Sequence, residues 1–205
     1  MRMPPLDTER LIIRPLIMDD LDACYRLYQG VGWIDSALPA HEFRARQKAW
    51  LEWSIRNYEA LAWLHQTPYG DYAVTRKVDG SFLGLAGLVP ALAPFGRLQS
   101  FGGDPDAHFT AEVGLFWVIA PEAQRQGIAS EAAQALLDFA FGTLRVARVI
   151  ASTEHDNCAS IGVMRKLGMR IERNPQGEPR WFQTVGVLEP PHPPSMAQDR
   201  KLSAC

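Results

Sequence analysis

Cysteine is scarce in this chain: Cys24, Cys158 and Cys205 stand far apart and form no CxxC pair. That spacing lends no support to a disulfide framework or a zinc site, so no metal is expected and reduced thiols in a cytosolic protein account for it. A surplus of one charge is also lacking. Lys and Arg number 21 against 23 Asp and Glu, for a net charge of −2. With a pI near 6.2, there is no electrostatic footprint for nucleic acid or an anionic membrane. No apolar run approaches the length of a bilayer-crossing helix; the longest, Val113 to Ala120, suits a buried strand. Residues 1–14 interleave charged with apolar side chains, so no secretory segment is read there. No internal repeat occurs. These absences leave a cytosolic globular protein of 205 residues, 47% of them hydrophobic. One domain with a sizeable core is expected over residues 1–188. A tail over 189–205, with four prolines between Pro190 and Pro194, has the composition of disorder.

Several elements can be read in order. Leu11 to Leu16 is a short strand ended by Pro15. Asp19 and Asp20 offer an acidic N-cap to a helix whose apolar stripe runs through Leu21, Cys24, Leu27 and Tyr28. A second helix spans about Ala40 to Tyr58, with Arg44, Arg46, Lys48 and Glu52 forming its solvated face. Tyr72 to Val78 and Phe82 to Leu88 make a β-hairpin around Asp79-Gly80, a dipeptide suited to tight turns. Residues 89–111 are rich in Pro, Gly and Asp and read as a long loop.

The informative stretch begins at Glu112. Val113 to Ile119 is an apolar strand stopped by Ala120-Pro121, and Gln124 to Glu131 leads into a helix with a stripe of Ile128, Ala129, Ala132, Ala133, Leu136, Leu137 and Ala140. Strand, glycine turn and helix form an anion-binding arrangement. The first N–H groups of a helix have no partner within it and sit at the positive end of its dipole. Gly127 has no Cβ and Ala129 a small one, so a pyrophosphate can approach the backbone. A Walker loop needs a lysine after the glycine and a dinucleotide fingerprint needs three glycines; neither is present. On this segment alone, a plain strand-to-helix turn competes evenly with a ligand site.

A second segment decides between them. Val146 to Thr153 reads as another buried strand. Asp156 or Asn157 then caps a helix carrying Ile161, Met164 and Leu167, with Gly168 at its C-terminal cap. Two further strands, Met169 to Arg173 and Trp181 to Leu188, flank a Pro-Gln-Gly-Glu-Pro loop.

With both segments in order, the chain resembles the GNAT superfamily of acetyltransferases, and within it the RimJ- and RimL-like N-terminal protein acetyltransferases. Gln124-Arg125-Gln126-Gly127-Ile128-Ala129 matches the family's Q/R-x-x-G-x-G/A acetyl-CoA loop, and Asn157-Cys158-Ala159-Ser160 with Arg165-Lys166-Leu167-Gly168-Met169 is similar to its N-x-x-S…K-L-G-F segment. Thr8 to Pro15 is similar to the branch's first strand. The resemblance implies an α/β (α+β) fold: a twisted, mixed, mostly antiparallel sheet flanked by helices, its central strands splayed to admit acetyl-CoA. It further implies that backbone groups of Trp117, Val118 and Ile119 pair with the pantetheine arm. Amides from Arg125 to Ser130, following Gln124, would hold the pyrophosphate, and Asn157 would hydrogen-bond the pantetheine.

Catalytic roles are then expected as follows. Glu112 is the first candidate for the base, ahead of His108, His155 and Glu154, though an exposed acid starting a strand is an equally good reading. A backbone N–H near Val118 would hold the oxyanion, as in the family. Many relatives place a tyrosine seven residues after the asparagine, where this chain has Met164. Ser160 is then the candidate proton donor to the departing thiolate, competing with a partly exposed helical serine. Cys158 is read as a bystander. Trp33, Trp50, Trp53 and Trp63 are expected in the core and groove wall. The partners implied are acetyl-CoA and an amine acceptor, the protein acting as a monomer or homodimer. An acetyltransferase and a CoA-binding module without turnover both fit. The acceptor groove is expected from residues 30–60 and 89–111.

Overall fold

The structure, a computed structural model, describes residues 2–190; the tail expected over 189–205 lies outside them from residue 191 on. Eight strands form one sheet in the order β1-β2-β3-β4-β5-β6-β8-β7. They are β1 (Leu6–Asp7), β2 (Leu11–Pro15), β3 (Tyr72–Arg76), β4 (Phe82–Ala93), β5 (Thr110–Ile119), β6 (Val149–Thr153), β7 (Arg170–Arg173) and β8 (Thr184–Leu188). Every neighbouring pair is antiparallel except β5 and β6. Four helices cover the sheet: α1 (Leu21–Gly30), α2 (Ala40–Trp63), α3 (Ile128–Gly142) and α4 (Cys158–Lys166). Among the described residues, no helix is long and apolar enough to cross a membrane.

Strand alternation sorts the core onto two faces. Odd positions of β5 (Val113, Leu115, Trp117, Ile119) pack with Ala132, Ala133, Leu136, Leu137 and Ala140 of α3 and with Met164 of α4. Even positions face the other way, where Phe116 and Val118 join Cys24 and Leu27 of α1 and Leu51 of α2. A third cluster, Phe95, Leu98, Phe182 and Val185, closes the sheet near β6 and β8. The period of 2 in the strands and 3.6 in the helices thus sets which side chains meet.

The long loop expected over residues 89–111 is corrected. β4 continues to Ala93 and β5 begins at Thr110, and two single turns of 3-10 helix between them bury Phe95 and Leu98. Pro90 interrupts the strand pattern but not the strand. The Leu88 carbonyl accepts from Gly70 N–H on the side away from β5. By strand alternation the missing Pro90 N–H faces that same side, beyond the end of β3, where no ladder bond is lost. The expected acidic cap also differs: Asp20 precedes α1, but its carboxylate is bidentate on Arg14, both contacts 2.8 Å, and accepts from Ile17 N–H rather than from the helix. Trp53 and Trp63 lie on the surface, 60% and 81% exposed, not in core or groove.

Candidate active site

β5 and β6 are joined by two residue pairs alone, Val113 with Val149 and Gly114 with Ile150. From Leu115 onward the strands diverge, leaving one edge of β5 unpaired. Register fixes which backbone groups that edge presents. Ala120 N–H donates to the Leu83 carbonyl of β4, and Leu85 opposes Val118 two residues on. Groups of the same parity point the same way, so the Val118 amide is spent on β4. Of the three residues expected to offer backbone groups to a ligand, Val118 is therefore turned away: Trp117 and Ile119, on either side of it, present theirs to the opening, and the Ile119 carbonyl already accepts from Gln124 Nε2 at 2.9 Å.

The diverging strands open a cleft of about 530 Å³ on the α3 and α4 side, within the usual range for a small-ligand site. Trp117, Val118, Ile119, Gln124, Arg125, Gly127, Ile128, Ala129, Ser130, Asn157 and Ser160 all line it. Of the residues expected to hold a cofactor, Gln126 is not brought there; its side chain donates to the Glu122 carbonyl at 2.8 Å. Val31, Trp33 and Lys166 also line the cleft. Trp33 was expected in core or groove wall and Val31 only as part of the 30–60 stretch, whereas Lys166 was legible only as a last-turn base of α4.

The loop into α3 turns through two left-handed residues, Arg125 (φ 59°) and Gly127 (φ 79°). Gly127 is the N-cap of α3 and no side chain caps the helix, so its first amides open into the cleft without protein partners. A Cβ built on Gly127 would lie 3.4 Å from Arg10 Nη2 and 3.7 Å from Lys166 Nζ. Arg10 is fixed there by Glu131, 2.6 Å away, and by donating to the Gln126 carbonyl at 3.0 Å. Burial alone would push the Glu131 carboxyl up, but hydrogen bonds from the Thr8 hydroxyl and from Arg10 outweigh it and hold it below the usual range. Free amides, a glycine and two cations at one point make an anion cradle. This donor set fits a phosphate-bearing ligand such as acetyl-CoA.

Asn157 caps α4: Oδ1 accepts from Ser160 N–H at 3.1 Å, and Nδ2 donates to Thr153 Oγ1 at 2.9 Å. Ser160 faces the cleft, and among the described residues its hydroxyl has no hydrogen-bond partner. Met164, at the position where relatives carry tyrosine, is fully buried and packs its sulfur against Gly186 of β8. Glu112 is not brought to the cleft. Its carboxylate is bidentate on Arg148, with contacts of 2.6 and 3.2 Å, at the closed end of the β5–β6 pair. That hydrogen bond in turn raises the Arg148 pKa. His155 engages Thr184 Oγ1 at 2.9 Å, Glu154 pairs with Arg180, and His108 is exposed; none of the three lines the cleft. No Asp, Glu or His does so among the described residues.

A second cavity of about 380 Å³ lies on the opposite face of the sheet, walled by Val89–Leu92, Gly114–Phe116, Ile150–Ser152 and Trp181. The two cavities have no lining residue in common, but they meet consecutive residues of β5: Phe116 lines the second and Trp117 the first.

The model of the GNAT acetyltransferase domain matches residues 10–170. The chain belongs to the GNAT acetyltransferase family. Among known sequences it is similar to the uncharacterized N-acetyltransferase YnaD of Bacillus subtilis, 46% identical over 63 residues; the match spans 31% of this chain and 36% of YnaD, so about a third of that relative's length. Its fold resembles the crystal structure of an acetyltransferase from Agrobacterium tumefaciens (TM-score 0.63, 23% identity, 93% of this chain and 96% of that one). It also resembles RimL, the ribosomal L7/L12 alpha-N-protein acetyltransferase, in complex with coenzyme A (TM-score 0.56, 17% identity, 90% and 96%).

Proposed function

We propose that this protein is an acetyl-CoA-dependent N-acetyltransferase of the RimJ/RimL-like kind, moving an acetyl group to a primary amine by direct attack on the thioester. The observation that carries this reading is the uncapped N-terminus of α3, which opens into the same cleft as the free edge of β5 and the unpartnered Ser160 hydroxyl. An acceptor amine reaches the carbonyl from the opposite face, through the divergence of β5 and β6. A new C–N bond forms as the C–S bond breaks. Trp117 or Ile119 N–H stabilises the oxyanion, and Ser160 gives its proton to the thiolate while its oxygen takes up the proton that the newly acylated nitrogen sheds.

Among the described residues, the cleft is lined by no carboxylate or histidine that could act as a base. This favours acceptors that lose their proton unaided, because an α-amine has a pKa of about 8 and a lysine side chain about 10.4. N-terminal amines of peptides and small amines of low pKa are therefore the acceptors of this reading, with the protein working in the cytoplasm as a monomer or homodimer. The same missing base, together with the buried Met164, favours the second reading, a CoA-binding module without turnover.

Thiol release from acetyl-CoA across a panel of amines separates the two. Release should occur, rise from pH 7 to 8, and fall about 10²-fold or more in Ser160→Ala with acetyl-CoA affinity unchanged. Tight acetyl-CoA binding with no release for any amine would leave the binding module as the function.

A further inference from the structure

On the acceptor face of the sheet, one row crosses three strands: Asp71, Gly87 and Phe116. Gly87 opposes Phe116, and Asp71 precedes Tyr72, which opposes Ala86. A Cβ on Gly87 would meet the Gly70 carbonyl at 1.8 Å and the Asp71 Cα at 3.3 Å, so only glycine lets the chain at Asp71 approach this closely. Asp71 shares its parity with Ala73, which packs under α1 and α2, so its carboxylate lies on that face. The span from Asp71 to Phe116 is two strand spacings, about 10 Å, and the residue between them in the row, Gly87, carries no side chain and lies under the Gly70 carbonyl.

Aromatic rings wall the same place. Tyr28 packs on Trp33 (centroids 5.7 Å apart) and edge-on to Trp50 (5.9 Å), and Trp33 tilts over Phe116 (6.3 Å). Trp33 is half exposed and lines the first cavity, while Phe116 lines the second. Among the described residues, no hydrogen bond or ion pair reaches the Asp71 carboxylate; its own backbone carbonyl accepts from Tyr58 Oη. Burial pushes that carboxyl up to about 6, so it is still ionised at pH 7–8. A half-buried, unpaired carboxylate beside a ring cluster has the chemistry to hold an organic cation: the charge answers the ammonium, and the ring faces add cation–π attraction and cover its carbon skeleton.

We infer that Asp71, with the Tyr28–Trp33–Phe116 wall, forms the acceptor subsite and selects a primary ammonium carrying an aromatic or apolar group within a few bonds. This rests on the acetyltransferase reading for its place in the reaction, since the wall borders the opening through which an amine would reach the thioester. Two sources share that chemistry, a free arylalkylamine and a peptide beginning with an aromatic residue.

Calorimetry on the full chain saturated with CoA tests the subsite directly, using the low-pKa arylalkylamine phenylalaninamide, the dipeptide Phe-Ala and the neutral analogue 2-phenylethanol. At least one of the two amines should bind, at least tenfold more weakly to Asp71→Asn, while the alcohol binds both proteins alike. The better-bound amine identifies the source. Equal affinity of both proteins for each amine, or no binding of either amine to the wild-type chain, overturns the proposal. Asp71→Asn should bind CoA as the wild type does, which separates loss of the subsite from loss of the fold. Thiol release distinguishes the two readings. A binding difference without release retains the subsite and sinks the acetyltransferase, whereas release with an unchanged amine KM in Asp71→Asn sinks the subsite alone.

Discussion

Glu112 and Arg148 clasp each other across the short stretch where β5 and β6 are still joined, with Oε1 2.6 Å from Nη2. The guanidinium also lies 4.0 Å over the Phe101 ring. The Glu112 side chain is 13% exposed and that of Arg148 27%, so the pair is shielded enough to be felt. Its place is structural: it pins the closed end of the sheet. Glu112→Gln should lower unfolding free energy by about 1–3 kcal/mol in denaturant titration, with kcat within about twofold of wild type. A large fall in kcat in a fully folded variant would return Glu112 to the chemistry.

Gly127 tests the anion cradle. A carboxylate placed there enters the field of Arg10 and Lys166 and fills the space before the α3 amides. Gly127→Glu should abolish acetyl-CoA binding in calorimetry. The left-handed φ costs any L-residue about 1 kcal/mol, so the folded state should survive in both Gly127→Glu and Gly127→Ala. Unchanged affinity in the glutamate variant would move the site elsewhere.

Asp71 carries a stability cost with a definite pH window. Its folded pKa of about 6 lies above the ordinary 3.8 because burial disfavours the charge. Between those values the folded state binds more protons than the unfolded one, so stability falls as pH rises through the window and the loss is complete above it. Asp71→Asn should therefore raise stability by about 1–3 kcal/mol at pH 7–8, several degrees in melting temperature. Near pH 3.5 the two proteins should melt together. A rise of equal size at both pH values would mean the gain is not electrostatic.

The sequence carried the middle of the site and little of its rim. β5, the Gly127 turn and α3 were legible because alternation gives way to helical spacing across one glycine, and Asn157 was legible as a cap by its type and place. Features set by distant partners were not. Pro90 reads as a strand breaker until one knows that β3 has already ended beside it. Glu112 reads as a solitary acid because Arg148 is 36 positions away and meets it only through a parallel crossover. The orientation of the Val118 amide depends on its register with Leu85, and Arg10 reaches Gln126 across 116 positions. Asp71 looks like an ordinary turn acid after Gly70 until α1 and α2 fold over it.

The two-pair seam between β5 and β6 also has a mechanical meaning. β6 runs three residues past the seam to Thr153, a lever of about 10 Å at the usual strand rise. α4, with its Ser160 and Lys166, rides on the far end of that lever, while Gly127, Arg10 and the first amides of α3 stay with the β5 half. A turn of only about 5° at the seam therefore shifts the serine by about 1 Å against a ligand held at Gly127, comparable to the misplacement at which catalytic positioning fails. The clasp of Glu112 and Arg148 stands at the fulcrum, where a small adjustment is amplified most.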